Sequence, residues 1–207
     1  MYYENLMLKF WKEQKVKLTD YPELRLIIPR SERIKSVIEN RVITKKYINE
    51  TKNLFENIGY PKTILDIGAN IGYQAIHYYL SSPETKIYCF EPSPYNFRYL
   101  TSNTEKFINI KSFNMGLGSE DTTGYLSMPS HVQNPRVLKM KNNTGLLSFY
   151  GDGEKYNDSI KITTLDNWLT KNKINLINGF IKIDVEGFEL KVCKGMKRLL
   201  RGMNPVI

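Results

Sequence analysis

The chain is short of cysteine and histidine, with two of each among 207 residues. Cys89 and Cys193 both lie inside apolar patterns and read as small buried hydrophobes, which excludes a disulfide scaffold and a paired-cysteine metal site. No apolar run is long enough to cross a membrane. The first dozen residues lack both the apolar core and the cleavage site of an export signal. No membrane association is expected, and the expected compartment is the cytoplasm. Asn49-Glu-Thr51, Asn142-Asn-Thr144 and Asn157-Asp-Ser159 then read as chance matches to the glycosylation pattern. Acids are also scarce: 21 against 30 lysines and arginines, a formal charge of +9. Such a surplus favours anionic substrates or acidic partners through long-range attraction. The lysines are spread along the chain, so a solvated basic surface accounts for them and no nucleic-acid partner is expected.

A length of 207 residues suits one domain, or one domain with an appendage, and an apolar content of 41% is enough for its core. Its organising stretch is Thr63-Ile-Leu-Asp66-Ile-Gly68-Ala69-Asn70-Ile-Gly72. A short apolar run ends in an acid, small residues make a turn, and a helical pattern starts at Tyr73. Strand, glycine turn and helix form the unit that carries adenosine-type cofactors in open parallel sheets. A dinucleotide fingerprint wants a second glycine where Asn70 stands, so that a pyrophosphate can approach. Asp66 would also repel a pyrophosphate at the mouth of the turn. It suits a cationic ligand, and S-adenosylmethionine carries a sulfonium and an ammonium without a phosphate. A nicotinamide-dependent oxidoreductase is the alternative.

Lys86-Ile-Tyr-Cys-Phe90-Glu91-Pro92 is a second apolar run ending in an acid, with Glu91 19 residues beyond Gly72. An acid at this strand tip and distance is where a ribose diol is gripped; the other reading is a cap on the following turn or on the helix that starts near Pro94. Residues 95–107 read as a helix. A third strand and a small-residue turn follow over Asn109–Gly118, where Met115 either holds an adenine or belongs to a simple turn. Residues 119–162 are too long for a plain crossover. Gly124–Met128 and Thr144–Tyr150 look like extra strands, and the basic stretch between them contains His131, either a surface residue or a base. His77 reads as a packed histidine. Upstream, Leu24–Ile28 suggests a short strand. Lys45–Ile58 suggests a helix with Tyr47, Thr51, Leu54, Phe55 and Ile58 on its buried stripe and a stop at Gly59.

Ser159–Leu169 reads as a strand and a helix start, with Asp166 as the helix cap. The second strong element is Gly179-Phe-Ile-Lys182-Ile-Asp184-Val-Glu186-Gly187-Phe-Glu189, a buried strand ending in acids and a glycine. It should lie beside the organising strand, with Val206-Ile207 at a sheet edge. Acids at such a tip can cap a helix, bind a metal or handle a proton. A metal would want further ligands, and none is evident nearby.

Together, Ile64–Gly72, Phe90-Glu91-Pro92, Thr164-Leu-Asp166 and Ile181–Glu189 resemble the FkbM-type methyltransferases, with Asn143–Ser148 resembling a further stretch of that family. The resemblance runs from about Lys45 to Ile207, leaving residues 1–44 as an N-terminal extension. It implies a class I methyltransferase fold, which is α/β with a doubly wound, mostly parallel, Rossmann-like sheet. It implies S-adenosylmethionine as donor and O-methylation of a hydroxyl on a sugar, glycan or other natural product. Asp66, Gly68, Asn70 and Glu91 match donor-binding positions, with Ala69, Gly72, Pro92 and Met115 beside them. Asp184 and Glu186 match the acidic motif next to the transferring methyl. Pro205-Val-Ile207 reads as the start of a fifth strand, so the last two strands of the family fold are expected to be missing. A donor-binding module without activity is therefore a further alternative.

Overall fold

The computed structural model describes residues 13–18, 20–29, 44–127, 159–202 and 205–207. Nine strands are described: β1 (Glu13–Leu18), β2 (Tyr21–Pro29), β3 (Thr63–Ile67), β4 (Lys86–Phe90), β5 (Ile110–Phe113), β6 (Gly116–Leu117), β7 (Thr122–Gly124), β8 (Ile160–Thr163) and β9 (Gly179–Ile183). The six described helices are α1 (Lys45–Ile58), α2 (Tyr73–Ser81), α3 (Pro94–Thr104), α4 (Leu165–Asn172), α5 (Glu189–Lys194) and α6 (Lys197–Gly202). The central sheet runs β5-β4-β3-β9, all parallel. The organising strand β3 is thus interior, with β9 beside it as its sequence predicts. Val206 pairs in parallel with Phe180 at the outer side of β9.

Alternation along these strands divides the core into two faces. Ile64, Ile87, Cys89 and Ile110 pack with Phe55 of α1, Ile76 of α2 and Leu100 of α3. Leu65, Ile67, Phe90 and Ile181 pack on the other face with Trp168 of α4, Val192 of α5 and Leu199 of α6. Helices on both faces of a parallel sheet make a doubly wound α/β fold. Trp168 meets Tyr88, Phe90 and Phe113 edge-on at centroid separations of 4.7–5.4 Å. Cys89 is fully buried and Cys193 half-buried, and both are free thiols. Among the described residues, no helix is long and apolar enough to cross a membrane.

Three local expectations need correction. The buried side of α1 carries Ile48 and Phe55, while Tyr47 and Leu54 are 41% and 42% exposed. The extra strand after β6 is Thr122–Gly124 rather than Gly124–Met128. Thr164, not Asp166, caps α4 by accepting from the Asn167 amide. Asp166 instead accepts from the amides of Arg198 and Leu199, at 2.8 and 3.0 Å, and so ties α4 to the start of α6. His131 and Thr144–Tyr150 lie outside the described residues.

The hairpin β1–β2 shares the first core face through Val16, Leu18, Leu26 and Ile28. Its polar anchor is Asn103 of α3, which is buried. The Asn103 side chain accepts from Ile27 N–H at 2.7 Å and donates to the carbonyls of Ile27 at 3.0 Å and Ile71 at 2.8 Å. One amide thus joins the hairpin to the glycine turn. Asn103→Ala leaves those groups without their partner. It is expected to cost about 1–3 kcal/mol in denaturant unfolding and to raise hydrogen exchange at the Ile27 amide.

Candidate functional site

The tips of β3, β4, β5 and β9 lie side by side at the carboxyl end of the sheet, where open α/β folds bind ligands. The turn after β3 needs its glycines. Gly68 has φ +82°, and a Cβ there would lie 1.9 Å from the Asp184 carbonyl oxygen. Gly72 has φ +88°, and a Cβ there would crowd Leu100 at 2.8 Å. Asn70 takes the left-handed conformation at φ +51°, which asparagine tolerates better than most residues.

The amides of this turn are turned inward. Gly68 and Ala69 both donate to the Phe90 carbonyl at 3.0 Å, and Gly72 donates to the Ala69 carbonyl at 2.9 Å. Asn70 donates to Glu91 Oε2 at 2.8 Å. These four N–H groups are spent on the chain's own acceptors, whereas a pyrophosphate turn keeps such groups for its ligand.

Glu91 is 5% exposed. Besides Asn70, it is held at Oε1 by the Ser93 amide at 2.9 Å and by Asn96 Nδ2 at 3.4 Å. Burial raises its pKa to about 7, against the lowering effect of the Ser93 and Asn70 amides and the Asn96 side chain. Glu91 braces the start of α3, as the capping reading expects. A carboxylate has about four lone-pair sites, and three donors leave room for one more. Asn114 Nδ2 bridges the carbonyls of Glu91 and Pro92, at 2.9 and 3.1 Å, and pins this tip to that of β5. Met115 follows, half-buried against the second core face.

Asp66 is placed differently from its sequence expectation. It is wholly buried beneath the turn rather than at its mouth. Its cation is Lys182 of β9, whose Nζ lies 3.1 Å from Asp66 Oδ1. The contact is one of charge, because neither Asp66 oxygen has an aligned hydrogen bond. Burial pushes the Asp66 carboxyl up, and the Lys182 ammonium pulls it back. For Lys182, burial works downward but Asp66 and Asp184 outweigh it, so its pKa is raised and the ammonium stays charged. The same Nζ donates to the Gly68 carbonyl at 3.0 Å and lies 3.6 Å from Asp184 Oδ2. The Lys182 signal is visible in the sequence, because a lysine between isoleucines on a buried strand must find an acid.

The Asp184 side chain is 63% exposed at the mouth. The turn below it is capped by another acid: Glu189 Oε1 accepts from the amides of Val185 and Gly187, at 3.3 and 3.1 Å. Asp184 is therefore not needed as a cap. Glu186 is exposed at φ +48°, and burial, then Asp184 and Glu189, raises its pKa. His77 stands apart from these tips, with Nε2 2.8 Å from Thr51 Oγ1 and 3.0 Å from the Tyr47 carbonyl, as a packed histidine joining α2 to α1.

A parallel sheet with helices on both faces and a glycine turn at its carboxyl edge defines a Rossmann-like α/β fold. The chain belongs to the methyltransferase FkbM domain family, whose model matches residues 66–207. It is 30% identical over 156 residues to the hexuronic acid methyltransferase AglP of Haloferax volcanii. That match covers 74% of this chain and 58% of AglP, so the chain spans somewhat over half the length of the curated relative it matches. Two solved structures are also similar. One is precorrin-6y C5,15-methyltransferase from Geobacter metallireducens, at 22% identity and TM-score 0.26, covering 35% of this chain and 40% of that one. The other is P. horikoshii TYW2 in complex with MeSAdo, at 15% identity and TM-score 0.28, covering 60% and 66%.

The Asp66–Lys182 pair generates a stability prediction. Lys182→Met leaves a buried carboxylate unpaired and is expected to cost about 3–5 kcal/mol at neutral pH. The folded Asp66 pKa is then raised further, so the deficit grows as pH rises and shrinks as pH falls. Adding Asp66→Asn removes the stranded charge and should recover most of the loss, read by denaturant titration of the single and double variants.

Proposed function

We propose that the protein is an S-adenosylmethionine-dependent O-methyltransferase acting on a hydroxyl of a sugar or glycan. The observation that carries this reading is the inward-turned amide set of the Gly68–Gly72 turn, between the Glu91 and Asp184 acids. A turn with those amides spent suits an adenosine ligand without a pyrophosphate, and family membership makes that ligand a methyl donor. It disfavours the nicotinamide alternative.

The residues fit S-adenosylmethionine. A buried acid with a free lone pair suits a ribose hydroxyl, and exposed acids beside the Gly68 carbonyl suit a cationic end. Glu91 would hold the ribose, with Pro92 and Met115 at the adjoining tips toward the base. Asp184 and Glu186 would face the methionine end and the acceptor. Bound there, the cofactor supplies a methyl group already activated by its sulfonium. The chain's part is to align the acceptor oxygen, exclude water and take up the hydroxyl proton. Asp184 would take up that proton or orient the donor, and its exposure while Glu189 does the capping supports such a role.

A sugar acceptor is supported by AglP, whose name gives a hexuronic acid as substrate. The surplus of +9 charges favours an anionic acceptor of that kind. Calorimetry with S-adenosylmethionine and S-adenosylhomocysteine, beside NADH, tests the donor. Methyl transfer to glucuronic acid glycosides beside neutral hexosides tests the acceptor. Binding of NADH in place of both adenosyl ligands would overturn the reading.

Two predictions follow from the acids. The ordinary glutamate pKa lies near 4.3, and the folded Glu91 value is about 7. The folded state therefore holds the extra proton between those values, and the ionised acceptor form is complete only above pH 7. S-adenosylhomocysteine affinity should rise from pH 6 to pH 8. Glu91→Gln should flatten that rise and weaken binding by about 1.5–3 kcal/mol.

Asp184→Asn keeps shape and removes basicity. It should lower single-turnover methyl transfer in the full-length protein by about 10²–10⁴-fold, with the thermal midpoint unchanged. A normal rate would take Asp184 out of the chemistry.

A further inference from the structure

The Lys182 ammonium makes three contacts, each with a different part of the crevice: Asp66 below it at 3.1 Å, the Gly68 carbonyl at 3.0 Å and Asp184 Oδ2 at 3.6 Å. The ammonium donates a hydrogen bond to the Gly68 carbonyl and meets the two carboxylates through its charge. Two of these groups line the proposed donor site, while the third is wholly buried. The side chain itself is 21% exposed, so it reaches the crevice from beneath.

A lysine serving only to neutralise Asp66 needs neither of the upper contacts. Asp66 in turn has both oxygens without an aligned hydrogen bond and no exposure. It works as a fixed negative charge under the ammonium rather than as a ligand-binding group. The register supports this, since Asp66 and Lys182 are direct partners across β3 and β9. Neighbouring residues in a parallel pair share a face of the sheet, and here that face lies under the glycine turn.

We propose that Lys182 is a positioning residue of the donor site: held from below by Asp66, its ammonium fixes the Gly68 carbonyl and the Asp184 carboxylate in the arrangement that receives the cofactor's cationic end. The inference rests on the S-adenosylmethionine reading. It assigns Asp66 an indirect role, acting on the donor through the lysine.

The test uses S-adenosylhomocysteine calorimetry, which needs no acceptor, on the full chain. Asp66→Asn removes the support beneath the lysine but leaves its two upper contacts, and should bind several-fold more weakly than wild type. Asp66→Asn/Lys182→Met removes the strut without stranding a charge. It should unfold at the Asp66→Asn denaturant midpoint yet bind about ten- to a hundredfold more weakly than Asp66→Asn, the scale of a misplaced binding group. Asp66→Asn/Lys182→Gln, whose amide can still donate to the Gly68 carbonyl, should recover part of that affinity. It carries the comparison if the methionine variant does not fold, and must still bind several-fold more weakly than Asp66→Asn alone. Equal or tighter binding by the folded double variants would make Lys182 a mere counter-ion or an obstruction, and overturn the proposal. Absence of binding by wild type would instead bring down the donor reading itself, and the proposal with it.

Discussion

The crevice depends on one close approach: the glycine turn after β3 touches the backbone of the β9 tip. The Asp184 amide donates to the Ile67 carbonyl at 3.0 Å, and the Asp184 carbonyl occupies the space that any side chain at position 68 would need. That approach sets the exposed Asp184 carboxylate over the turn. It also brings Lys182 within reach of the Gly68 carbonyl and leaves Asp66 sealed beneath both. Replacing Gly68 would combine a backbone collision with an unfavourable positive φ, so the two tips could not keep their separation.

Much of this was legible in the sequence, because it rests on local patterns. The apolar run of β3 and its glycines specify strand and turn, and the spacing to Glu91 specifies the second tip. The bounds of α1 follow from Thr44 and Gly59 at its ends. The polar connections between elements were not legible. Asn103, Asn114 and Asn96 are ordinary asparagines in the chain, and only the packing of α3 and β5 against the turn shows what each amide reaches. Asp166 makes the same point, because it secures the start of α6 through the amides of Arg198 and Leu199, far along the chain.

Asp66 illustrates why a legible motif can still mislead about where its acid lies. An acid at the end of a strand beside glycines reads as exposed, because connecting turns usually lie at the surface. The side chain alternation of β3 nevertheless puts residue 66 on the same face as Ile64, under α2. Electrostatics then decides the rest. A fully buried carboxylate next to isoleucines requires a cation, and the register supplies Lys182 from the adjacent strand. Glu91 lies one residue past the end of β4, where the chain turns and backbone amides can surround it, and so its charge is met by dipoles instead.

The pairing of β3 with β9 also has a consequence for the order in which the chain assembles. Ile67 meets Phe90 across 23 residues of chain, but meets Ile183 across 116. Closing the longer loop costs more entropy before any contact rewards it, and pairings of high sequence separation form slowly. The β3-β4-β5 unit can therefore condense early and exist with its glycine turn and Glu91 in place. The lysine and the exposed acid arrive only when β9 docks. Until then Asp66 lies at an open sheet edge without its cation. Completion of the crevice therefore waits on the pairing with the greatest sequence separation in the central sheet.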